Sequence, residues 1–286
     1  MGIKIVVDST ADLSNDVLQQ YGIERVSLKV HAENKDYRDW IDIQPKEFYQ
    51  LLRNMDTLPT TSQPSPTDFI DTYKRIASPN DTIISIHLAS KLSGTFQSAV
   101  LAKSMLPEYD ITVIDSKQAT CGLGILAVAV AKAVENGRTK EEILKIIDRI
   151  IESQRTLFMV DTLKYLHKGG RIGKASALIG SLLNIKPILS LDDDGGVMAI
   201  DKARGKKKAE KAMLQLLKNS YGDAALSAVF CHADALEEME QIIESVKQEL
   251  NIDDADIMIA DIGPVIGTHV GPGAWGIIAH EKQSAE

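Results

Sequence analysis

No stretch of the chain approaches the roughly 18 consecutive apolar residues of a membrane-spanning helix. The first residues lead into the strand-like run Ile3–Val7 with no charged-then-apolar pattern of a secretory leader. Cysteine is scarce: Cys121 and Cys231 are far apart in apolar company, with neither CxxC spacing nor paired histidines. That pattern offers no disulfide framework and no zinc ligand set, and it predicts a reduced, cytoplasmic protein with two buried thiols. Positive charge is in deficit, 32 Lys+Arg against 40 Asp+Glu, and a net charge of −8 argues against nucleic acid as the main partner. Aromatic residues make up only 5% of the chain, so the interior is built mainly from Ile, Leu, Val, Ala and Met. A phosphate loop of the GxxxxGK[ST] type is missing, and Asp192–Gly196 reads as a turn and not a calcium loop. No metal or cofactor site is therefore expected from these motifs.

What is present is a two-part pattern. The 286 residues exceed one average domain. In the first part apolar runs alternate with helical segments. Ile3–Val7, Arg25–Val30, Thr82–His87 and Ile111–Ile114 read as strands. Helices are predicted from Ser14 to Tyr21, from Pro45 to about Arg53, from Pro66 to before Pro79, over Gly94–Leu106, over Leu123–Asn136 and over Glu141–Ser153. This alternation predicts an α/β fold, a mostly parallel sheet with helices on both faces. The second part reads differently. Strands at Thr156–Val160, Pro187–Leu191, Val197–Ala203, Ala225–Cys231, Asp256–Ile262 and Ala274–Ala279 are interleaved with a basic helix to about Asn219 and a helix over Leu236–Leu250. Turn residues at Asp192–Gly196 predict a hairpin, and hence an α+β domain with a mixed sheet. The boundary is placed near Gln154–Thr156, giving domains 1–155 and 156–286.

Three polar segments carry the chemistry. Thr60-Thr61-Ser62-Gln63 runs into Pro64 and Pro66, which predicts a stiff loop of uncharged donors. Ser93-Gly94-Thr95 opens a helix, where unpaired N–H groups and the positive dipole end favour an anion. His269 lies in a Gly-Thr-His-Val-Gly-Pro-Gly loop and can donate a hydrogen bond. Each segment has an ordinary alternative as a turn, a helix cap or a structural histidine. Ser93 and His269 could also be a hydrolase pair, although the surroundings of Ser93 are not GxSxG and no third acidic member stands out. The basic run Lys202–Lys211 fits either a docking surface or the solvated face of a helix.

Asp8-Ser9-Thr10, Thr60–Pro64, Ser93-Gly94-Thr95, Gly169-Gly170-Arg171-Ile172 and His269–Gly273, in this order, resemble the DegV family. The resemblance covers essentially the whole chain, and the better-understood members are the fatty-acid-binding subunits of bacterial fatty acid kinase. It implies two α/β domains enclosing one long-chain fatty acid between them. Thr61 and Ser93 would hydrogen-bond the carboxylate with His269 beside it, and Ser62 and Gly94 would complete the walls. Arg171 and Arg204 match family positions on a basic face that docks the kinase catalytic subunit, which phosphorylates the bound carboxylate. The protein would be a monomeric, cytoplasmic lipid-binding subunit, not an enzyme, without stable membrane insertion. An esterase or acyl-transfer enzyme using Ser93 and His269 is the alternative, and a small-molecule sensor signalling through the basic helix is a third.

Overall fold

A computed structural model describes residues 2–180 and 185–282. The first 115 residues contribute β1 (Ile3–Asp8), β2 (Ile23–Val26), β3 (Lys29–Ala32), β4 (Lys35–Arg38), β5 (Thr60–Ser62), β6 (Thr82–His87) and β7 (Asp110–Asp115). Among and after them lie α1 (Asn15–Tyr21), α2 (Pro45–Asn54), α3 (Pro66–Ile76), α4 (Thr95–Ser104), α5 (Cys121–Glu135) and α6 (Lys140–Ser153). Helix starts follow local chemistry. Ser14 caps α1, and Ser65 with Asp68 and Thr139 with Glu142 form capping boxes for α3 and α6.

β2-β1-β6-β7 is an all-parallel sheet. Its strands are apolar on both sides because both faces are covered. Ile5, Val7, Ile84 and Ile86 pack under α5 and α6, while Val6 and Ile83 pack with Phe69 and Tyr73 of α3 and Ala99 of α4. The expected single strand Arg25–Val30 is instead two. Ser9 Oγ accepts from Leu28 N at 3.0 Å, so the chain is drawn out of the parallel sheet after Val26. It re-enters as β3 of a separate antiparallel sheet, β4-β3-β5. Thr60–Ser62, read as loop in sequence, is the edge strand of that sheet.

The rest of the chain supplies β8 (Arg155–Met159), β9 (Ile185–Leu191), β10 (Val197–Arg204), β11 (Leu226–His232), β12 (Ile257–Asp261) and β13 (Trp275–Glu281). With them come α7 (Lys164–Lys168), α8 (Lys206–Tyr221), α9 (Leu236–Glu249) and α10 (Pro264–Val270). The six strands form one mixed sheet, β10-β9-β8-β13-β11-β12, parallel only between β11 and β12. In the β9–β10 hairpin Asp192 Oδ1 accepts from Asp194 N and Gly196 N, and Gly195 takes a φ of 81°. One face of this sheet packs on α8 and α9 through Met213, Leu217, Met239 and Val246. The other face turns Leu189, Val229, Cys231 and Ile278 into a core shared with Leu28, Phe48, Ile125 and Val265. The proposed division into 1–155 and 156–286 would assign β1–β7 to one part and, apart from Arg155 at the start of β8, β8–β13 to the other.

Candidate functional site

The shared core encloses a cavity of about 350 Å³, within the size range of small-ligand sites. Leu88 and Ala119 approach it from beyond the carboxyl ends of β6 and β7, where open parallel sheets present ligands. Phe158, Cys231 and Ile278 form the opposite wall. The lining is mainly apolar; its polar residues are Thr61, Ser62, Gln63, Ser93, Thr120, Thr156, Arg171 and His269.

Thr61 reaches the cavity through strand parity. It lies opposite Val30, which is fully buried, so both point inward from the three-stranded sheet. His269 is on helix α10, not in a loop: Pro264 opens that helix at its first turn, and His269 falls in the last turn before Gly271. Thr61 Oγ1 and His269 Nε2 are 2.9 Å apart. Burial, and then the charge of Arg171, push the imidazole down to about 4, so it is neutral at pH 7. His269 Nδ1 is buried with no hydrogen-bond partner among the described residues. A buried orphan N–H is rarer than an under-used acceptor, which favours the proton on Nε2. His269 then donates to Thr61, and the Thr61 hydroxyl hydrogen is free to point into the cavity.

Ser93 Oγ is 2.9 Å from Thr95 Oγ1 and accepts from Thr95 N at 3.3 Å. Ser93 is thus bonded to Thr95 and His269 to Thr61, and among the described residues no hydrogen bond joins the pair required by the hydrolase alternative. Gly94 is the N-cap residue of α4. A Cβ on Gly94 would lie 2.2 Å from Gln63 Oε1, and Gln63 Nε2 donates to Ser98 Oγ at 3.1 Å. Gly94 therefore seats the segment after β5 against α4. Ser62 lies on the opposite face of β5 from Thr61, and its hydroxyl is 2.8 Å from His31 Nε2.

The two arginines are placed differently from each other. Arg171 does not project into solvent. It is half-buried, lines the cavity, and donates from Nε to Leu92 O at 3.1 Å and from Nη1 to Gly169 O at 2.7 Å. Arg204 is exposed and lines a separate surface cleft with Asp161, Lys186 and Gly205.

Sequence reasoning missed the groups that hold α10. Asp39 Oδ1 accepts from Val265 N at 3.2 Å. Asp12 accepts from Trp40 Nε1 at 2.9 Å and from Thr120 Oγ1 at 2.6 Å, with the Gly263 backbone N–H also donating. Burial pushes Asp12 up to about 7 and raises Asp39 well above the usual carboxylate range. Gly169 was also missed as a contact. It leaves the space His269 needs, since a Cβ there would stand 2.3 Å from Nδ1. Among the described residues no His, Cys, Asp and Glu cluster could hold a metal ion, and no helix is long and apolar enough to cross a membrane.

A family model described as an uncharacterised protein, DegV family, matches residues 2–282. A DegV domain-containing protein of Caldanaerobacter subterraneus is 39% identical over 281 residues, covering 98% of this chain and 99% of the relative. Among solved structures, a DegV family protein from Thermus thermophilus described by its fatty acid binding superposes with a TM-score of 0.92 at 36% identity, covering 99% of this chain and 100% of that one. DegV from Bacillus subtilis, described as a fatty acid binding protein, gives 0.88 at 35% identity with the same coverage.

Proposed function

The chain belongs to the DegV family, and from that premise we propose that it is a lipid-binding protein that encloses a long-chain fatty acid and presents its carboxylate to a partner kinase. The observation that carries this reading is the neutral Thr61–His269 contact at a mainly apolar cavity. Burying an acyl tail contributes roughly 0.8 kcal/mol per methylene, so about 14 methylenes give on the order of 11 kcal/mol before binding costs. A buried carboxylate without partners would forfeit several kcal/mol of that. Thr61 and Ser93 are the proposed donors to it, with Thr61 oriented by His269. Arg171, half-buried beside them, adds positive potential while its hydrogen bonds go to Leu92 and Gly169.

In this mechanism the protein supplies no nucleophile. Its hydroxyl donors hold one carboxylate oxygen and leave the other open to the phosphoryl group that the kinase brings with its own nucleotide. The product is an acyl phosphate. Arg204, on the exposed cleft, is the proposed docking contact for an acidic kinase surface. Native mass spectrometry of the purified protein, with organic extraction, tests ligand identity. One fatty acid per chain is expected, and a protein that neither retains nor takes up fatty acid would overturn the reading.

A further inference from the structure

The cavity carries polar side chains away from the proposed carboxylate site as well as at it. β8 and β12 run in the same direction, since β11 is parallel to β12 and β13 is antiparallel to both β8 and β11. The segments that follow them, with Arg171 and His269, therefore leave the sheet from one edge. Thr156 stands at the other end of β8, about 13 Å back along the strand from Val160. It belongs to the cavity face. It alternates in step with Phe158 and pairs directly with Ile278, both cavity residues, whereas Leu157 and Met159 pack on the α8 and α9 side. Thr156 Oγ1 lies 2.6 Å from Gln118 Oε1, an O–H···O length that is short for N–H···O, so Thr156 is the donor. Gln154, two residues earlier, donates from Nε2 to Gly122 O at 3.0 Å. Its Oε1 is buried with no hydrogen-bond partner among the described residues. The two amides meet at Gly122, where a Cβ would stand 3.0 Å from Gln118 Oε1 and 3.2 Å from Gln154 Nε2. Thr156, Gln118 and Gln154 are each 7% exposed or less.

What this end offers a ligand is therefore acceptors. The Thr156 proton is committed to Gln118, which leaves the Thr156 lone pairs, and Gln154 Oε1 is likewise a lone-pair site. Thr61 has the opposite polarity, with its hydroxyl hydrogen free for a carboxylate oxygen. We propose that the Thr156 end of the cavity is a subsite for a hydroxyl carried on the acyl chain past its midpoint, so that the ligands include hydroxy fatty acids. The proposal rests on reading the cavity as an acyl site. The ligand hydroxyl donates to Thr156 Oγ1. A plain hydrocarbon tail leaves the Thr156–Gln118 bond intact and gains nothing from it. An oxo group at the same carbon brings only an acceptor, faces the lone pairs of Thr156 and is buried without a donor. The direction of one hydrogen bond thus becomes selectivity between two chains that differ only in oxidation state.

The test uses the full-length protein, delipidated, with octadecanoic acid, 12-hydroxyoctadecanoic acid and 12-oxooctadecanoic acid competing against a fluorescent fatty acid. In the wild type the hydroxy acid is expected to bind at least as tightly as octadecanoic acid, and the oxo acid at least ~5-fold more weakly than the hydroxy acid. Thr156→Val should abolish the difference between hydroxy and oxo acids while still binding octadecanoic acid. Thr156→Ser, which keeps the hydroxyl, should retain it. The wild-type comparison needs no variant, so it decides even where Thr156→Val does not fold. Equal affinity for hydroxy and oxo acids, a hydroxy acid weaker than octadecanoic acid, or a preference that survives in Thr156→Val overturns the inference. Octadecanoic acid bound without a hydroxyl preference defeats the subsite alone, whereas failure of all three acids to bind defeats the lipid-binding function with it.

Discussion

Replacing Gly169 by alanine perturbs the proposed carboxylate site without replacing any residue that lines the cavity. Gly169 has a φ of −74°, which alanine adopts freely, so the backbone is not strained. The added methyl carbon would stand 2.3 Å from His269 Nδ1, 3.1 Å from its Cε1 and 3.1 Å from Tyr165 O. Ordinary carbon contacts begin at roughly 3.5 Å, so the imidazole must retreat by about 1 Å. The 2.9 Å contact to Thr61 then opens past hydrogen-bonding range. Two effects follow. Overpacking lowers folding stability by about 1–3 kcal/mol. Losing the bond that orients Thr61 lowers fatty acid affinity by about 0.5–1.5 kcal/mol, or roughly 2- to 12-fold. Titration with a fluorescent fatty acid reads the second effect, and thermal unfolding the first. Because the argument routes the affinity loss through Thr61, Gly169→Ala should add little to Thr61→Val in a double-mutant cycle. Full additivity of the two losses, or wild-type affinity in Gly169→Ala, would refute the proposed role of the His269–Thr61 contact.

Ser93→Ala removes a proposed carboxylate donor and should weaken fatty acid binding by roughly 1–3 kcal/mol with little change in melting temperature; unchanged affinity excludes Ser93 from the site. Arg204→Ala should retain fatty acid yet lower acyl phosphate formation when kinase and ATP are supplied, with the deficit shrinking as salt screens the wild-type encounter. Normal product at full occupancy would sink that docking role. Asp12 has its folded value raised from 3.8 to about 7, so the folded state holds a proton that the unfolded chain releases. Its carboxyl therefore costs nothing below pH 4 and destabilises increasingly as pH rises through 7. Asp12→Asn should gain stability relative to wild type across that window. His269 contributes the opposite slope between about 4 and 6.5 in both proteins, so the variant-minus-wild-type difference is the quantity to measure. A difference independent of pH would refute the assignment.

The sequence made the parallel sheet legible because its strands are unbroken apolar runs bounded by hydroxyl-bearing turns, and Pro and Gly marked most helix ends. The β9–β10 hairpin was equally plain from Asp192–Gly196. The three-stranded sheet was not, although Lys29-Val30-His31-Ala32 alternates and Glu33-Asn34 is a two-residue turn with both φ values positive. Joining Arg25 to Val30 as one strand concealed that alternation, and what separates them is a tertiary contact from Ser9. His269 was misplaced because the glycines around it outweighed Pro264, whose position at a helix start was the better signal. The Gly169–His269 and Asp39–Val265 contacts join residues 100 or more apart in the chain, and no local pattern encodes them. Arg171 matched a family position, but its turn inward depends on where Leu92 O lies, which the sequence does not state.

The three residues of β5 divide their duties by parity: Thr61 looks inward to His269, while Ser62 looks outward to His31. Substitution and insertion are therefore different kinds of event in this stretch. A changed side chain alters one partner and leaves the other in place. One residue gained or lost within Thr60–Ser62 exchanges the two faces, turning Ser62 toward the cavity and Thr61 toward solvent, and so breaks both contacts at once. A replacement within Thr60–Ser62 is thus expected to cost one contact, whereas a length change is tolerated only in the connections on either side of it.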